Sequence, residues 1–349
     1  MGGISKYFSD LIETFDAYPE LGVNPSLNFA RTNNMHAVTL LSERNFKTLP
    51  RFVPRGVLYS GWWLRGPHTP SEAQIQHYTY YSRRFLSQRS EYKRVVTIYD
   101  MIPEIYKGTP GFTASHLDKK LFVESCDLVI CISESTKQDL LRLYGNVAKR
   151  IEVIPLGVST RFQPSRNAIV GWPSEYMFYV GARKGYKDFK TLLSALEIIS
   201  GQGLRIPLMV AGPSFTKLEM AEIDRKGLSQ QVRRVDLKDE DLIRAYSHTS
   251  LFIQTSLYEG FGLPPLEAMA CGAPVIVARS SSMPEVCGEV AQYFKPGDPI
   301  DLAAVITKTL LDRGLREHLA LAGVARASTF SVKKMADETA KAYRSLIGG

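Results

Sequence analysis

The chain contains no run of about 18 apolar residues, so no membrane-spanning helix is expected. No secretory leader is visible at its start. Cysteine is sparse. Cys126, Cys131, Cys271 and Cys287 show no Cys-x-x-Cys spacing and lie in apolar surroundings, the usage of reduced core or strand thiols in a cytosolic protein. No His, Cys and Asp cluster has ligand spacing, so neither a bound metal nor another cofactor is expected. No Gly-x-Gly-x-x-Gly follows a strand-like run, which argues against a dinucleotide-dependent dehydrogenase. No repeat of solenoid length appears. Disorder is excluded by an apolar content of 44%.

What is present is an alternation of strand-like and helical segments over 349 residues, a length that suits two domains of roughly 150 residues. Apolar runs at 95–99, 128–132, 151–155, 177–180, 208–211, 251–254 and 275–278 read as strands. Helical patterns lie between them. One starts at Ser133 or Ser135 and ends at Gly145. Another carries Phe189, Leu192, Leu193 and Leu196 on one face. A third opens at Asp298-Pro299 with Leu302, Val305, Ile306 and Leu310 inward. Alternation of this kind signals an α/β fold with parallel sheets. The pattern weakens from Val158 to Pro173, which places a linker there. The expected division is a first domain over 1–160, a second over 161–330, and a last helix over 331–349. Gly2-Gly3 reads as a turn entering a helix, yet no strand precedes it; the chain reads as if it starts one strand late.

The net charge of +8 is concentrated. Arg51, Arg55, Arg65, Arg83, Arg84, Arg89, Lys93 and Arg94 are interleaved with Trp62, Trp63, Tyr78, Tyr80, Tyr81 and Phe85, against only Glu72 and Glu91. Such a stretch suits anionic lipid head groups or a lipid-diphosphate acceptor. It equally suits a solvated face over buried aromatics, and its charges alone would suit nucleic acid.

The most informative run is Leu257 to Gly272, with Glu259 and Glu267 on either side of Gly260-Phe261-Gly262-Leu263 and Pro264-Pro265. The prolines fit the first turn of a helix, where a missing N–H costs nothing. Glu267 is then expected in that first turn, held ionised by the helix dipole. A carboxylate there can grip the vicinal diol of a ribose. The free N–H groups of Gly260, Phe261, Gly262 and Leu263 can hold an anion or a sugar edge. An ordinary capped helix with a glycine-rich entry is the plain alternative.

Ligands of open α/β sheets bind beyond the carboxyl ends of strands. Gly181 to Lys187, Gly212-Pro213, the Glu259–Glu267 loop and Asp100 all lie at such ends. Arg183 and Lys187 are four apart in a glycine-containing loop and can both turn toward one diphosphate. Read alone, they are equally a pair of solvated surface cations.

These residues resemble the retaining nucleotide-sugar glycosyltransferases of the GT-B fold, in the large family 4, and within it a bacterial polysaccharide and O-antigen mannosyltransferase branch. The matching stretches are 179–189, 154–158, 259–267, 270–276, Asp100-Met101-Ile102-Pro103-Glu104 and Ile132-Ser133-Glu134-Ser135-Thr136. The resemblance is specific over 95–330 and loose over 8–90. It implies two Rossmann-like doubly wound domains facing across a cleft, with the last helix crossing back to the first. It implies a donor site in which Glu267 binds the ribose, and Glu259 with Gly260 to Leu263 holds the donor sugar and diphosphate. Arg183 and Lys187 would neutralise the leaving group. Gly212-Pro213 and the Asp236-Leu237 region would border the base, Gly181 would belong to the donor site, and Gly2 and Gly3 would approach the phosphates. Catalytic roles fall to Glu259, Lys187, Arg183 and Asp100.

Two positions depart from that pattern. Tyr99 precedes Asp100 where relatives carry His. His77, in Gln76-His77-Tyr78, is a substitute on the acceptor side or a core histidine. Asp188 follows Lys187 where Asn is usual. The reading is a cytoplasmic hexosyltransferase using a GDP- or UDP-sugar, GDP-mannose first. Its acceptor would be a saccharide or a lipid-linked saccharide, with peripheral contact to the inner membrane face and no nucleic-acid partner. An inactive sugar-nucleotide binder and a GT-B epimerase are the rivals.

Overall fold

The computed structural model describes residues 3–25, 74–78, 81, 86, 92–107, 116–183 and 185–348. These fall into two compact units. The first comprises the described residues of Met1–Ile132, Lys137–Gly157 and Val332–Gly349; the second comprises Ser133–Thr136 and Val158–Ser331.

The first unit opens with α1 (Gly3–Ala17). Its sheet is parallel, in the order β1 (Ile75–Tyr78), β2 (Lys93–Ile98), β3 (Leu128–Cys131) and β4 (Ile151–Val153). Val95, Val96, Ile98, Leu128, Val129 and Ile130 are fully buried, as strands of a parallel sheet with both faces covered must be. The apolar runs overstate these strands: Tyr99, Ile132 and Pro155 lie beyond their ends. Among the described residues, three further helices precede β4: α2 (Ile102–Ile105), α3 (His116–Ser125) and α4 (Glu134–Tyr144). Ser133 caps α4, its Oγ accepting from Thr136 N at 3.0 Å.

The second unit carries β5 (Met177–Val180), α5 (Phe189–Gly201), β6 (Leu208–Ala211), α6 (Lys217–Arg225), β7 (Val232–Val235), α7 (Asp239–His248), β8 (Leu251–Gln254) and α8 (Leu263–Ala270). It continues with β9 (Val275–Ala278), α9 (Met283–Cys287), β10 (Gln292–Phe294), α10 (Pro299–Leu311) and α11 (Arg313–Ser328). The sheet order is β10-β9-β8-β5-β6-β7, and every pairing is parallel. The chain winds outward from β5 to β7, then returns to lay β8 on the other side of β5. That reversal opens a crevice at the carboxyl ends of β5 and β8, where an open α/β sheet receives its ligand.

The helices that hold this sheet follow from their apolar stripes. Phe189, Leu192, Leu193 and Leu196 of α5 share one buried cluster with Leu302, Ile306 and Leu310 of α10. Each such aliphatic side chain contributes roughly 1.5–3 kcal/mol. Asp298 caps α10 by accepting from Ile300 N and Asp301 N, each at 3.1 Å. Elsewhere in the unit α8 packs on α11. A Cβ at Gly323 would stand 3.3 Å from Met269 Cγ, so the glycine permits that close approach.

The final helix, α12 (Val332–Ile347), lies with the first unit and packs on α1. Arg344 Nη1 donates to Leu21 O at 2.5 Å. All four cysteines are free and buried, and burial pushes the Cys126, Cys271 and Cys287 thiols up to about 12. No described helix is long and apolar enough to cross a membrane. No group of three or more His, Cys, Asp or Glu side chains suited to a metal occurs among the described residues.

Candidate functional site

The crevice between the ends of β5 and β8 gathers ionisable side chains of the second unit. Lys187 ends a short 3-10 turn, Gly185–Lys187, after β5. Its Nζ lies 2.6 Å from Glu259 Oε1. Gln254, the last residue of β8, donates from Nε2 to the same oxygen at 2.6 Å. Backbone links hold the two loops in register. Leu257 N donates to Tyr186 O at 2.7 Å, and Thr255 Oγ1 donates to Lys187 O at 2.9 Å.

The loop from Glu259 to Leu263 is held by its carbonyls. Gly260 O accepts from Ser133 Oγ at 2.7 Å and from Thr136 Oγ1 at 3.1 Å. The Ser282 hydroxyl is shared between Glu259 O at 2.9 Å and Phe261 O at 2.7 Å. Ser133, Thr136 and Ser282 are fully buried. The N–H groups of Gly260, Phe261, Gly262 and Leu263 have no hydrogen-bond partner among the described residues. Hydroxyls thus fix the carbonyl side and leave the donor side of the loop for a ligand, the arrangement of an anion-binding turn. Gly262 has φ +111, and a Cβ there would meet Met283 Cε at 2.3 Å, so this position demands glycine.

Glu267 is buried at 9% exposure and accepts a hydrogen bond from Tyr246 OH at 3.4 Å. Its expected place in the first turn is corrected. α8 starts at Leu263, with Pro264 and Pro265 as its second and third residues, so Glu267 is the fifth and stands in the second turn. The helix dipole acts chiefly on the terminal turn, which Glu267 does not occupy.

Arg183 also departs from expectation. Its fork is committed, with Nε 2.8 Å from Glu219 Oε1 and Nη2 donating to Pro213 O at 2.8 Å and Ser214 O at 2.9 Å. Glu219 in turn forms the capping box of α6 with Thr216. The guanidinium lies 4.7 Å from the Phe215 ring centre. A buried, hydrogen-bonded ion pair ties the ends of β5 and β6 together, so Arg183 is not a second free cation beside Lys187. Only its Nη1 lacks a partner. Gly181 and Gly212 meet at this point: φ is +127 and +155, and a Cβ on Gly212 would stand 2.4 Å from Gly181 O. Lys187 and Glu259 are brought together, while Arg183 is engaged with Glu219, Pro213 and Ser214.

The first-unit candidates are dispersed among local tasks. Asp100 Oδ1 accepts from Ile102 N at 3.0 Å, at the entry to α2, and Asp100 O accepts from Lys119 Nζ at 2.8 Å. Tyr99 is buried, its hydroxyl has no partner, and burial raises its ionisation well above the ordinary range. His77 is a core histidine. Its Nε2 stands 2.8 Å from Thr97 Oγ1 and its Nδ1 2.5 Å from Tyr343 OH, and burial lowers its pKa to about 3. Both ring nitrogens are occupied and the ring stays neutral, which removes it from acceptor-side proton transfer. Gly3 opens α1, while Gly2 lies outside the described residues, as do most of the basic and aromatic side chains between Arg51 and Glu91.

Sequence reasoning missed Gln254, Ser282 and Glu219. Gln254 reads as one more residue of a buried strand, and the serine carries no signal that it would bind carbonyls 21 and 23 residues away. Thr216 and Glu219 do carry one, the Ser/Thr-x-x-Glu spacing of a capping box.

Two family profiles match the chain. Glycosyl transferases group 1 matches residues 168–325, and Glycosyltransferase Family 4 matches residues 33–162. The O-antigen chain mannosyltransferase B of Escherichia coli is 28% identical over 288 residues, covering 77% of this chain and 74% of that protein. The serotype-specific mannosyltransferase WbdA of Escherichia coli is 30% identical over 259 residues, or 69% of this chain; the match spans only 32% of that longer protein. Sucrose-phosphate synthase (tll1590) from Thermosynechococcus elongatus superposes with a TM-score of 0.75 at 19% identity, covering 99% of this chain and 94% of its own. Anabaena Alr3699/HepE, solved with UDP and glucose, gives 0.74 at 19% identity over 98% of this chain and 95% of its own. At such identities the solved structures speak to the fold alone, and that fold is GT-B.

Proposed function

Because the chain belongs to the group 1 glycosyltransferases of family 4, we propose that it transfers a mannosyl group from GDP-mannose. The acceptor is a saccharide or a lipid-diphosphate-linked saccharide in cell-surface polysaccharide assembly, and the anomeric configuration is retained. Support for mannose comes from the Escherichia coli relatives, both named mannosyltransferases. A UDP-sugar is the second reading, favoured by the UDP bound to the Anabaena neighbour.

One observation carries the reading: the Lys187–Glu259 pair at 2.6 Å stands at the switch point beside the unpartnered N–H groups of Gly260 to Leu263. Departure of a nucleoside diphosphate develops negative charge on its phosphates. Lys187 and those N–H groups are preorganised to take up that charge, with no metal ion required in this scheme. Glu259 sets the direction of Lys187 and presents its carboxylate to the sugar. Glu267 accepts from the two ribose hydroxyls. Asp100 is retained as an acceptor-side candidate. In the transfer, the bond from C1 to the phosphate oxygen breaks and a bond from C1 to the acceptor oxygen forms on the same face. The acceptor's proton passes to the departing phosphate. The basic, aromatic stretch of 51–94 suits peripheral contact with anionic lipid on the cytoplasmic side.

Thermal-shift measurements against GDP, UDP, ADP and dTDP sugars test the assignment. GDP-mannose at about 100 times its Kd should stabilise the protein by about 2.7 kcal/mol. If no nucleotide sugar raises Tm, the reading falls; if only the UDP series does, the base is reassigned.

A further inference from the structure

Gln254 is out of place by the rules of strand packing. It ends β8 after Leu251, Phe252 and Ile253, all fully buried, and is itself 5% exposed. Its Nε2 gives one hydrogen to Glu259 Oε1 at 2.6 Å and points the other toward Ser256 Oγ at 3.4 Å. Its Oε1 is buried and has no hydrogen-bond partner among the described residues. An unsatisfied buried oxygen is destabilising. A methionine would fill nearly the same volume without that cost. Turning the amide over would bring Oε1 against the Glu259 carboxylate, so the amide orientation is fixed by that contact. Violations of packing rules of this kind gather where a site needs them.

We propose that Gln254 is a positioning residue for the transfer reaction, acting through Glu259. The inference rests on the reading that Glu259 acts at the donor sugar. Two donors, Lys187 Nζ and Gln254 Nε2, converge on Glu259 Oε1 from different strand ends. One donor would leave the carboxylate free to swing about its last torsion. Two donors fix its plane, and Oε2, which makes no hydrogen bond among the described residues, is the oxygen left for a sugar hydroxyl. The role is geometric, and its loss shows in turnover rather than in nucleotide affinity.

The test compares wild type with Gln254→Met, which keeps volume, and Gln254→Asn, which keeps the amide but is one methylene too short to reach. Both should lose about tenfold in kcat, the rate equivalent of one ordinary hydrogen bond. The Kd for GDP should stay within about twofold, and the Tm of Gln254→Met should hold or rise, because the orphan oxygen is gone. A merely structural residue would instead lose Tm and GDP affinity together with kcat. Wild-type kcat in both variants, or a parallel fall of all three quantities, overturns the proposal. Should Gln254→Met fail to fold, Gln254→Asn supplies the same comparison of kcat, Kd and Tm. A wild-type protein that neither binds GDP nor transfers mannose removes the functional reading and this inference with it. An active wild type with insensitive variants removes Gln254 alone.

Discussion

Each unit holds a Lys–Glu pair at the carboxyl end of its sheet, and the two pairs are built differently. In the first unit, Lys119 Nζ lies 2.9 Å from Glu104 Oε2, with side chains 3% and 8% exposed. Lys119 also donates to Asp100 O at 2.8 Å, and Glu104 Oε1 accepts from Tyr144 OH at 2.6 Å. In the second unit, Lys187 and Glu259 are 23% and 11% exposed, and the Lys187 and Gln254 contacts fall on a single carboxylate oxygen. The first pair is closed and satisfied on every side. The second is partly open, and among the described residues two groups tied to it, Gln254 Oε1 and Asp188 Oδ2, are buried without hydrogen-bond partners; in the first unit Tyr99 OH and Arg94 Nε are also unpartnered but belong to neither member of the pair. A satisfied pair holds a fold together. A partly open pair whose own partner, Gln254, keeps an unmet oxygen is arranged for something that arrives later.

The sharpest way to break this contrast is to remove one cation from each pair. Lys119→Met leaves Glu104 buried and uncompensated, which should cost about 3–5 kcal/mol of stability. Urea unfolding followed by circular dichroism measures it. A loss below about 1 kcal/mol would mean the pair is not the closed structural element described, since that is the range of surface pairs. Lys187→Met should behave in reverse. Stability should fall by less than in Lys119→Met, because Lys187 is itself more exposed than Lys119 and Gln254 still donates to Glu259. Turnover should fall by about 100-fold or more, the usual consequence of deleting a group that stabilises developing charge. Initial rates of GDP release from GDP-mannose report it. Unchanged kcat would place Lys187 outside the diphosphate site.

The sequence is most legible where one physical signal dominates. The apolar runs of β5, β6, β8 and β9 match the observed strands residue for residue. β7 is hidden because Arg233 and Arg234 interrupt it, and it forms the edge of the sheet, where charge is tolerated. β1 carries Gln76, His77 and Tyr78, and the His77 ring finds its partners only on other strands and helices. The site is half legible. Glu259, Lys187 and Gly262 stand out because their spacing and backbone demands are local. The pairing of Arg183 is not legible, because a cation in a glycine-containing loop reads as free and its partner, Glu219, lies 36 residues away. Glu267 reads one turn too early because the proline pair looks like the start of α8, while Leu263 already belongs to it.

Asp188 offers the smallest and most specific sharpening. It stands at the N-cap position of α5 directly after Lys187, without a side-chain capping hydrogen bond, in the left-handed region at φ +48, a conformation that Asn and Asp tolerate better than most residues. Its carboxyl is raised above the ordinary value of 3.8, chiefly by burial, with Thr191 and Lys190 pulling the other way. An acid whose folded pKa is raised favours the folded state when protonated. Its contribution is fully present below about pH 4 and is lost as pH rises through the folded value, so at neutral pH the carboxylate costs stability. Asp188→Asn keeps the shape and the left-handed tolerance and removes the charge. At pH 7 it should raise stability by up to about 1 kcal/mol, or roughly 2–4 °C in Tm. The gain should shrink toward zero below about pH 4, where the native carboxyl is itself protonated. If kcat falls as Tm rises, the buried charge beside Lys187 belongs to the open pair's working arrangement; if Tm rises with kcat intact, it is a capping residue alone.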